Sequence, residues 1–180
     1  MNGKFLIPFI ALFTLTFSVQ AQVKWSTVEE ASSAQIGEKL YFIDFYTDWC
    51  GYCKKMDRET FSDPLVAKIM NRYYMPAKFN AESKKAVSWR GKKYQPGSGR
   101  SNVHQFATAL LGQRMGFPTF ALIKADGTLL QTIPGYYPPK DFVIILWYFA
   151  SGDYQKYPFE HYSKIFDKDI RPQMEKQLKS

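Results

Sequence analysis

Leu40-Tyr41-Phe42-Ile43-Asp44-Phe45-Tyr46-Thr47-Asp48-Trp49-Cys50-Gly51-Tyr52-Cys53-Lys54-Lys55-Met56 decides the reading of the chain. Leu40 to Tyr46 is aromatic and β-branched and apolar on both faces, the pattern of a central strand. Asp44 is its one charged residue. The run that follows reads as a helix from the cysteines to about Glu59. With Cys50 at its first position, Cys53 lies three residues on and on the same face, Cβ atoms roughly 5–6 Å apart. A disulfide closes over that distance with little backbone movement. Unpaired N–H groups and the positive end of the helix dipole favour a thiolate at Cys50, and the thiolate is the nucleophile. Lys54 and Lys55 add positive charge. Cys50 is therefore expected to attack a partner disulfide, and Cys53 to resolve the mixed disulfide.

A structural bridge and a metal site are the other readings of the pair. A structural bridge over so short a loop restricts the unfolded chain little, about 2 kcal/mol in the chain-entropy model. A metal site needs three or four ligands, and beyond the cysteines only His104 and His161 offer imidazoles, neither at ligand spacing. A redox pair is favoured and no metal is expected.

Around this stretch, helices are expected over Thr27–Ile36, from Pro64 to about Arg72 with Asp63 as cap, and over Val103–Leu111 with Asn102 as cap. Tyr74–Asn80 reads as a second core strand. Phe120–Lys124 and Leu129–Ile133 read as a hairpin across Ala125-Asp126-Gly127-Thr128. Residues 81–101 form a basic surface excursion with a small hairpin around Arg90-Gly91-Lys92. Pro139–Ala150 is an apolar helix that must pack on the sheet. Residues 153–166 look like an amphipathic appendage, and 167–180 like a charged, mobile tail. Strands alternating with helices imply an α/β fold, a mixed sheet covered on both faces.

The 180 residues are 46% hydrophobic and 17% aromatic, which suits one ordered domain and argues against disorder. Lys4, the apolar run Phe5–Val19 and Val19-Gln20-Ala21 read as a secretory leader over residues 1–21, with Gln22 as the mature start. An uncleaved membrane anchor is the alternative. At about 15 residues, the run is shorter than the ~20 that span a bilayer. The domain proper is expected over 22–152 and the appendage and tail over 153–180. The net charge is +8, spread along the chain with a local excess at Lys84, Lys85, Arg90, Lys92, Lys93 and Arg100. That distribution reads as a solvated face, and no nucleic-acid partner is expected.

Phe45-x-x-x-Trp49-Cys50-Gly51-Tyr52-Cys53-Lys54 resembles the active-site segment of the thioredoxin superfamily. The run on through Lys55-Met56-Asp57, Thr60-Phe61-Ser62-Asp63-Pro64 and Val66 is similar to its exported thiol–disulfide interchange branch. The resemblance covers about residues 24–150 and implies a thioredoxin fold and a thiol–disulfide oxidoreductase whose only redox centre is the Cys50–Cys53 disulfide. It implies that Phe117-Pro118-Thr119 is the family's cis-proline loop, with the Phe117 backbone pairing with an extended substrate peptide. It implies that Asp44 is the family's buried acid, raised in pKa and suited to take the Cys53 proton. Lys78 would be the lysine near that acid, and Trp49 a shield over the thiols. Gly51-Tyr52 departs from the Gly-Pro of thioredoxins and is more like exported disulfide isomerases. The implied setting is periplasmic or secreted. The implied partners are exported proteins with cysteines or disulfides and, with no cofactor motif present, a membrane electron donor. The alternative is a non-catalytic binding module or chaperone using the Pro118 groove.

Overall fold

The computed structural model describes residues 22–98, 102–112 and 115–179. The expected leader over 1–21 and Arg100 lie outside them. Thirteen helices and strands follow in the order α1 (Val28–Ser33), β1 (Leu40–Tyr46), α2 (Gly51–Lys55), α3 (Pro64–Tyr73), β2 (Tyr74–Asn80), β3 (Val87–Trp89), β4 (Lys92–Tyr94), α4 (Gln105–Leu111), β5 (Thr119–Ile123), β6 (Leu129–Pro134), α5 (Pro139–Ala150), α6 (Phe159–Ile165) and α7 (Arg171–Lys179). β1, apolar on both faces, lies inside a four-stranded sheet of order β2-β1-β5-β6. It pairs parallel with β2 and antiparallel with β5, and β5 pairs antiparallel with β6.

Alternation along β1 sorts two cores. Phe42 faces one with Phe120, Leu122 and Ile133, under α3, α5 and the C-terminal helices. Tyr41, Ile43 and Phe45 face the other with Phe79 and Ala121, under α1, α4 and Trp89 of β3. Asp44 falls on the Phe42 face. β2 is an edge strand in the ladder, but residue 26 covers it: Ser26 N donates to the Pro76 carbonyl at 3.0 Å and Lys78 N to the Ser26 carbonyl at 3.2 Å. Pro76, which has no N–H to give, sits where only its carbonyl is needed.

Register fixes the working end of the molecule. Tyr46, the last residue of β1, pairs with Asn80, the last of β2. Phe45 pairs with Thr119, the first of β5, and Thr119 with Pro134, the last of β6. The cysteine turn after β1, the excursion after β2, the Phe117-Pro118 loop before β5 and the Gly135-Tyr136 turn after β6 therefore leave the sheet at one end.

Three expectations are corrected. α1 ends at Ser33, three residues before Ile36. It starts where expected, in a capping box: Thr27 Oγ1 accepts from Glu30 N and Glu30 Oε2 from Thr27 N. α4 begins at Gln105 and is capped by His104, not Asn102. The His104 ring Nδ1 accepts from Phe106 N at 3.0 Å, and Nε2 lies 3.1 Å from the Lys85 carbonyl. Buried and acting as an acceptor at Nδ1, the His104 ring is held below its ordinary pKa by burial. The expected mobile tail is helical. α6 runs through a π-turn (Phe166–Ile170) into α7, and Tyr162, Phe166, Met174 and Leu178 are buried in the core.

The excursion is fastened along its described length. At the β3–β4 tip, Arg90 N donates to Ser32 Oγ, and its guanidinium donates to the carbonyls of Ala125 and Asp126, each of these two at 2.9 Å. The guanidinium lies against Gly127, at φ +93°, where a Cβ would collide with it.

Candidate active site

The cysteine turn is built by the end of β1. Cys50 N donates to the Thr47 carbonyl, and Cys50 becomes the cap of α2 rather than its first helical residue. Its Sγ accepts the Cys53 N–H at 3.0 Å. The pair forms a disulfide with Cα atoms 5.3 Å apart. Both sulfur-bearing residues are 4% exposed, so burial does not distinguish them. Position does: Cys50 sits where the helix has no N–H partners of its own, Cys53 inside its first turn. A Cβ at Gly51 would meet nothing within 4 Å, so the exposed face of the turn between the cysteines is unobstructed at that position. α2 runs on as a π-turn, Met56–Thr60.

Behind the pair lies a three-residue ionic network. Asp44 is 2% exposed. Burial drives its carboxyl up from 3.8 to about 6, against the downward pull of Lys78. Lys78 stands beside Asp44 in the β1–β2 register, and its Nζ lies 3.0 Å from Asp44 Oδ2. The same Nζ is paired with Asp57, four residues beyond Cys53. Burial alone would depress the Lys78 ammonium; the two carboxylates outweigh it and hold its pKa above the ordinary value. The Trp25 ring covers Nζ at 4.8 Å. Asp44 Oδ1 is buried without a hydrogen-bond partner.

Two aromatic pairs flank the turn. Trp49 is 68% exposed, with Nε1 donating to Glu82 Oε2 at 3.0 Å and its ring edge-on to Phe117, centroids 6.4 Å apart. The indole thus bridges the excursion, through Glu82, and the loop before β5, through Phe117. The Phe117–Pro118 peptide is cis. Pro118 is buried with its carbonyl accepting from Gly135 N, and Thr119 Oγ1 donates to the Gly116 carbonyl. On the other flank, Tyr52 is 63% exposed and its ring lies 6.1 Å from that of Tyr136.

The ten residues singled out from the sequence are Asp44 on β1, Trp49 and Cys50 in the turn after it, Gly51, Tyr52 and Cys53 on α2, Lys78 on β2, Phe117 and Pro118 in the loop before β5 and Thr119 at its start, so all are carried at or beside one end of the sheet. Asp57, Glu82 and Tyr136 escaped that reading. Asp57 had a signal, one helical turn past Cys53; Glu82 and Tyr136 are set by tertiary contacts alone. A cavity of about 450 Å³ opens elsewhere, between β6, α5 and the start of the appendage, lined by Leu130, Tyr148, Phe149 and Phe159 among others and by neither cysteine. Among the described residues no group of three His, Cys, Asp or Glu could hold a metal.

A mixed sheet covered by helices on both faces, with a Cys-x-x-Cys disulfide where its central strand meets a helix, defines a thioredoxin-like domain that carries a dithiol–disulfide pair. The thioredoxin-like domain model matches residues 28–150, and the chain belongs to that family. Among curated proteins, the thiol:disulfide interchange protein DsbD of Salmonella typhi is 45% identical over 47 residues, 25% of this chain and 8% of that protein. The match thus spans under a tenth of that relative's length. Among solved structures, a putative disulphide-isomerase from Bacteroides thetaiotaomicron aligns over 71% of this chain and 93% of its own, with 22% identity and a TM-score of 0.51. A thioredoxin-fold protein from Helicobacter pylori aligns over 84% and 96%, with 18% identity and a TM-score of 0.51. These two likenesses are of fold.

Proposed function

We propose that this protein reduces or isomerises disulfides of other exported proteins, with Cys50 as attacking thiol and Cys53 as resolving thiol. The observation that carries the reading is the Cys50–Cys53 disulfide, with Cys50 Sγ at the helix cap accepting the Cys53 N–H, on a helix tied through Asp57 and Lys78 to buried Asp44. In the reduced protein the Cys50 thiolate attacks a partner S–S bond. One partner thiolate leaves and a Cys50–partner disulfide forms. Cys53 then gives up its proton and attacks Cys50 Sγ. The Cys50–Cys53 disulfide forms and the second partner thiolate leaves. The partner gains two electrons and this chain loses two. Asp44, poised at about 6, is the base for the Cys53 proton, since a general base works best with a pKa near the operating pH. Phe117, Pro118 and Thr119 offer the edge along which an extended peptide lies, and Trp49 walls it.

The domain over 22–152 would act without a cofactor, its redox centre being the disulfide itself, and a membrane dithiol donor would return the two electrons. Export rests on the leader-like residues 1–21, and periplasmic or secreted placement follows from it. Insulin reduction by dithiothreitol tests the activity: wild-type protein should accelerate it and Cys50→Ser should not. Equal behaviour of the two would favour a non-catalytic binding module using the Pro118 groove. Thiol trapping in the producing cell tests the direction, with a mostly reduced pair expected and a mostly oxidised one marking an oxidant.

A further inference from the structure

We propose that Tyr136, with Tyr52, selects polypeptide partners carrying an aromatic side chain beside the reacting cysteine. The inference rests on the exchange activity proposed above and concerns which disulfides the site accepts.

Large apolar side chains left in water mark contact sites when they cluster. The two most exposed among the described residues are Trp49 and Tyr52, each immediately before a cysteine. Trp49 already has a wall in Phe117. Tyr52 leans on Tyr136 at 6.1 Å and an interplanar angle of 35°. Tyr136 itself is fixed: its hydroxyl donates to Glu59 Oε2 at 2.8 Å, and Lys55 Nζ lies 4.3 Å from its ring centroid. Lys55 is in turn 3.8 Å from Glu59. A ring held from both ends loses little freedom when another ring settles against it, so contact energy appears in affinity rather than in ordering cost. The register of β6 against β5 and of β5 against β1 brings this ledge to the end of the sheet where the disulfide sits.

The chemistry of the ledge narrows the occupant. Lys55 already supplies the cation that the Tyr136 ring attracts, and a second ammonium or guanidinium would meet it as a like charge. An aromatic ring meets no such penalty and gains an offset or edge-on contact, worth about threefold to tenfold in a rate constant.

The test uses three disulfide-bonded peptides that differ only in having Phe, Ser or Lys next to the cysteine. Second-order rate constants are measured with the reduced protein. The Phe peptide should react about threefold to tenfold faster than the Ser peptide, and the Lys peptide no faster than the Ser peptide. In Tyr136→Ala and in Tyr52→Ala the Phe/Ser ratio should fall to about one, each variant's own Ser rate serving as reference. Tyr52 is exposed, so its variant keeps the test valid should Tyr136→Ala misfold. Tyr136→Phe, which keeps the ring and its Lys55 contact but loses the bond to Glu59, should show a Phe/Ser ratio no higher than the wild type's. No Phe preference in the wild type, or a preference that survives both alanine variants, overturns the assignment. Should none of the three peptides react, the exchange reading itself falls, and this inference with it.

Discussion

Asp44→Asn should make the protein more stable and less active, and the size of the first effect follows from the site. The Asp44 carboxyl is fully buried and sits at about 6 against an ordinary 3.8. The folded protein therefore holds a proton that the unfolded chain has already released. Stability from this group is complete below pH 3.8 and is lost as pH rises through about 6. At about 1.4 kcal/mol per pKa unit, ionised Asp44 destabilises the fold by about 3 kcal/mol at pH 8. Asparagine keeps the shape and stays neutral, and Lys78 keeps Asp57. Guanidinium unfolding of the oxidised protein should show Asp44→Asn ahead by about 3 kcal/mol at pH 8, with the gap closing toward pH 4. For a chain of this length that corresponds to a Tm higher by about 6–12 °C. The same variant should slow resolution by Cys53 more than first attack by Cys50. A gap that does not change with pH, or a wild type that is the more stable at pH 8, would refute the reasoning.

Cys53→Ser should accumulate mixed disulfides through Cys50 in cell extract; an absence of thiol-reversible adducts on non-reducing gels counts against the assignment of roles. Lys78→Met removes the cation that pulls Asp44 down, so the pH midpoint of the resolution step should move up, as read by rapid quench across pH; an unmoved midpoint would separate Lys78 from the acid. Phe166→Ala should cost about 3–5 kcal/mol by cavity formation, measurable by chemical denaturation, because this ring, carried by the appendage, is fully buried in the core; a cost below 1 kcal/mol would mean the C-terminal helices are not part of the core.

Much of this was legible in the chain because local signals agreed with the fold. The double-sided apolar run of β1, the Asp63-Pro64 start of α3 and the turn at Ala125-Asp126-Gly127-Thr128 each state their structure within a few residues. The order of elements then implied the layering. The misses have physical causes. Asn102 is a good cap by type, but His104 gained the role because its ring also reaches the Lys85 carbonyl, a contact local pattern does not encode. The tail was read by its charge. Its apolar residues Ile170, Met174 and Leu178 continue the four-residue recurrence of Tyr162 and Phe166 in the appendage and spell a helix face. The bond from Trp49 to Glu82, on the excursion, is likewise a tertiary contact that no local pattern announces.

The Arg90 fastening has a mechanical consequence. Arg90 ties the tip of the excursion to α1 and to the β5–β6 turn. Gln95 and Gln105 bond one another's backbone at its far end, and Glu82 holds Trp49 at its near end. The basic strip is thus a strut, not a flap: its described residues move with the sheet. A partner that touches it and the indole together meets one rigid template whose ordering entropy was lost on folding.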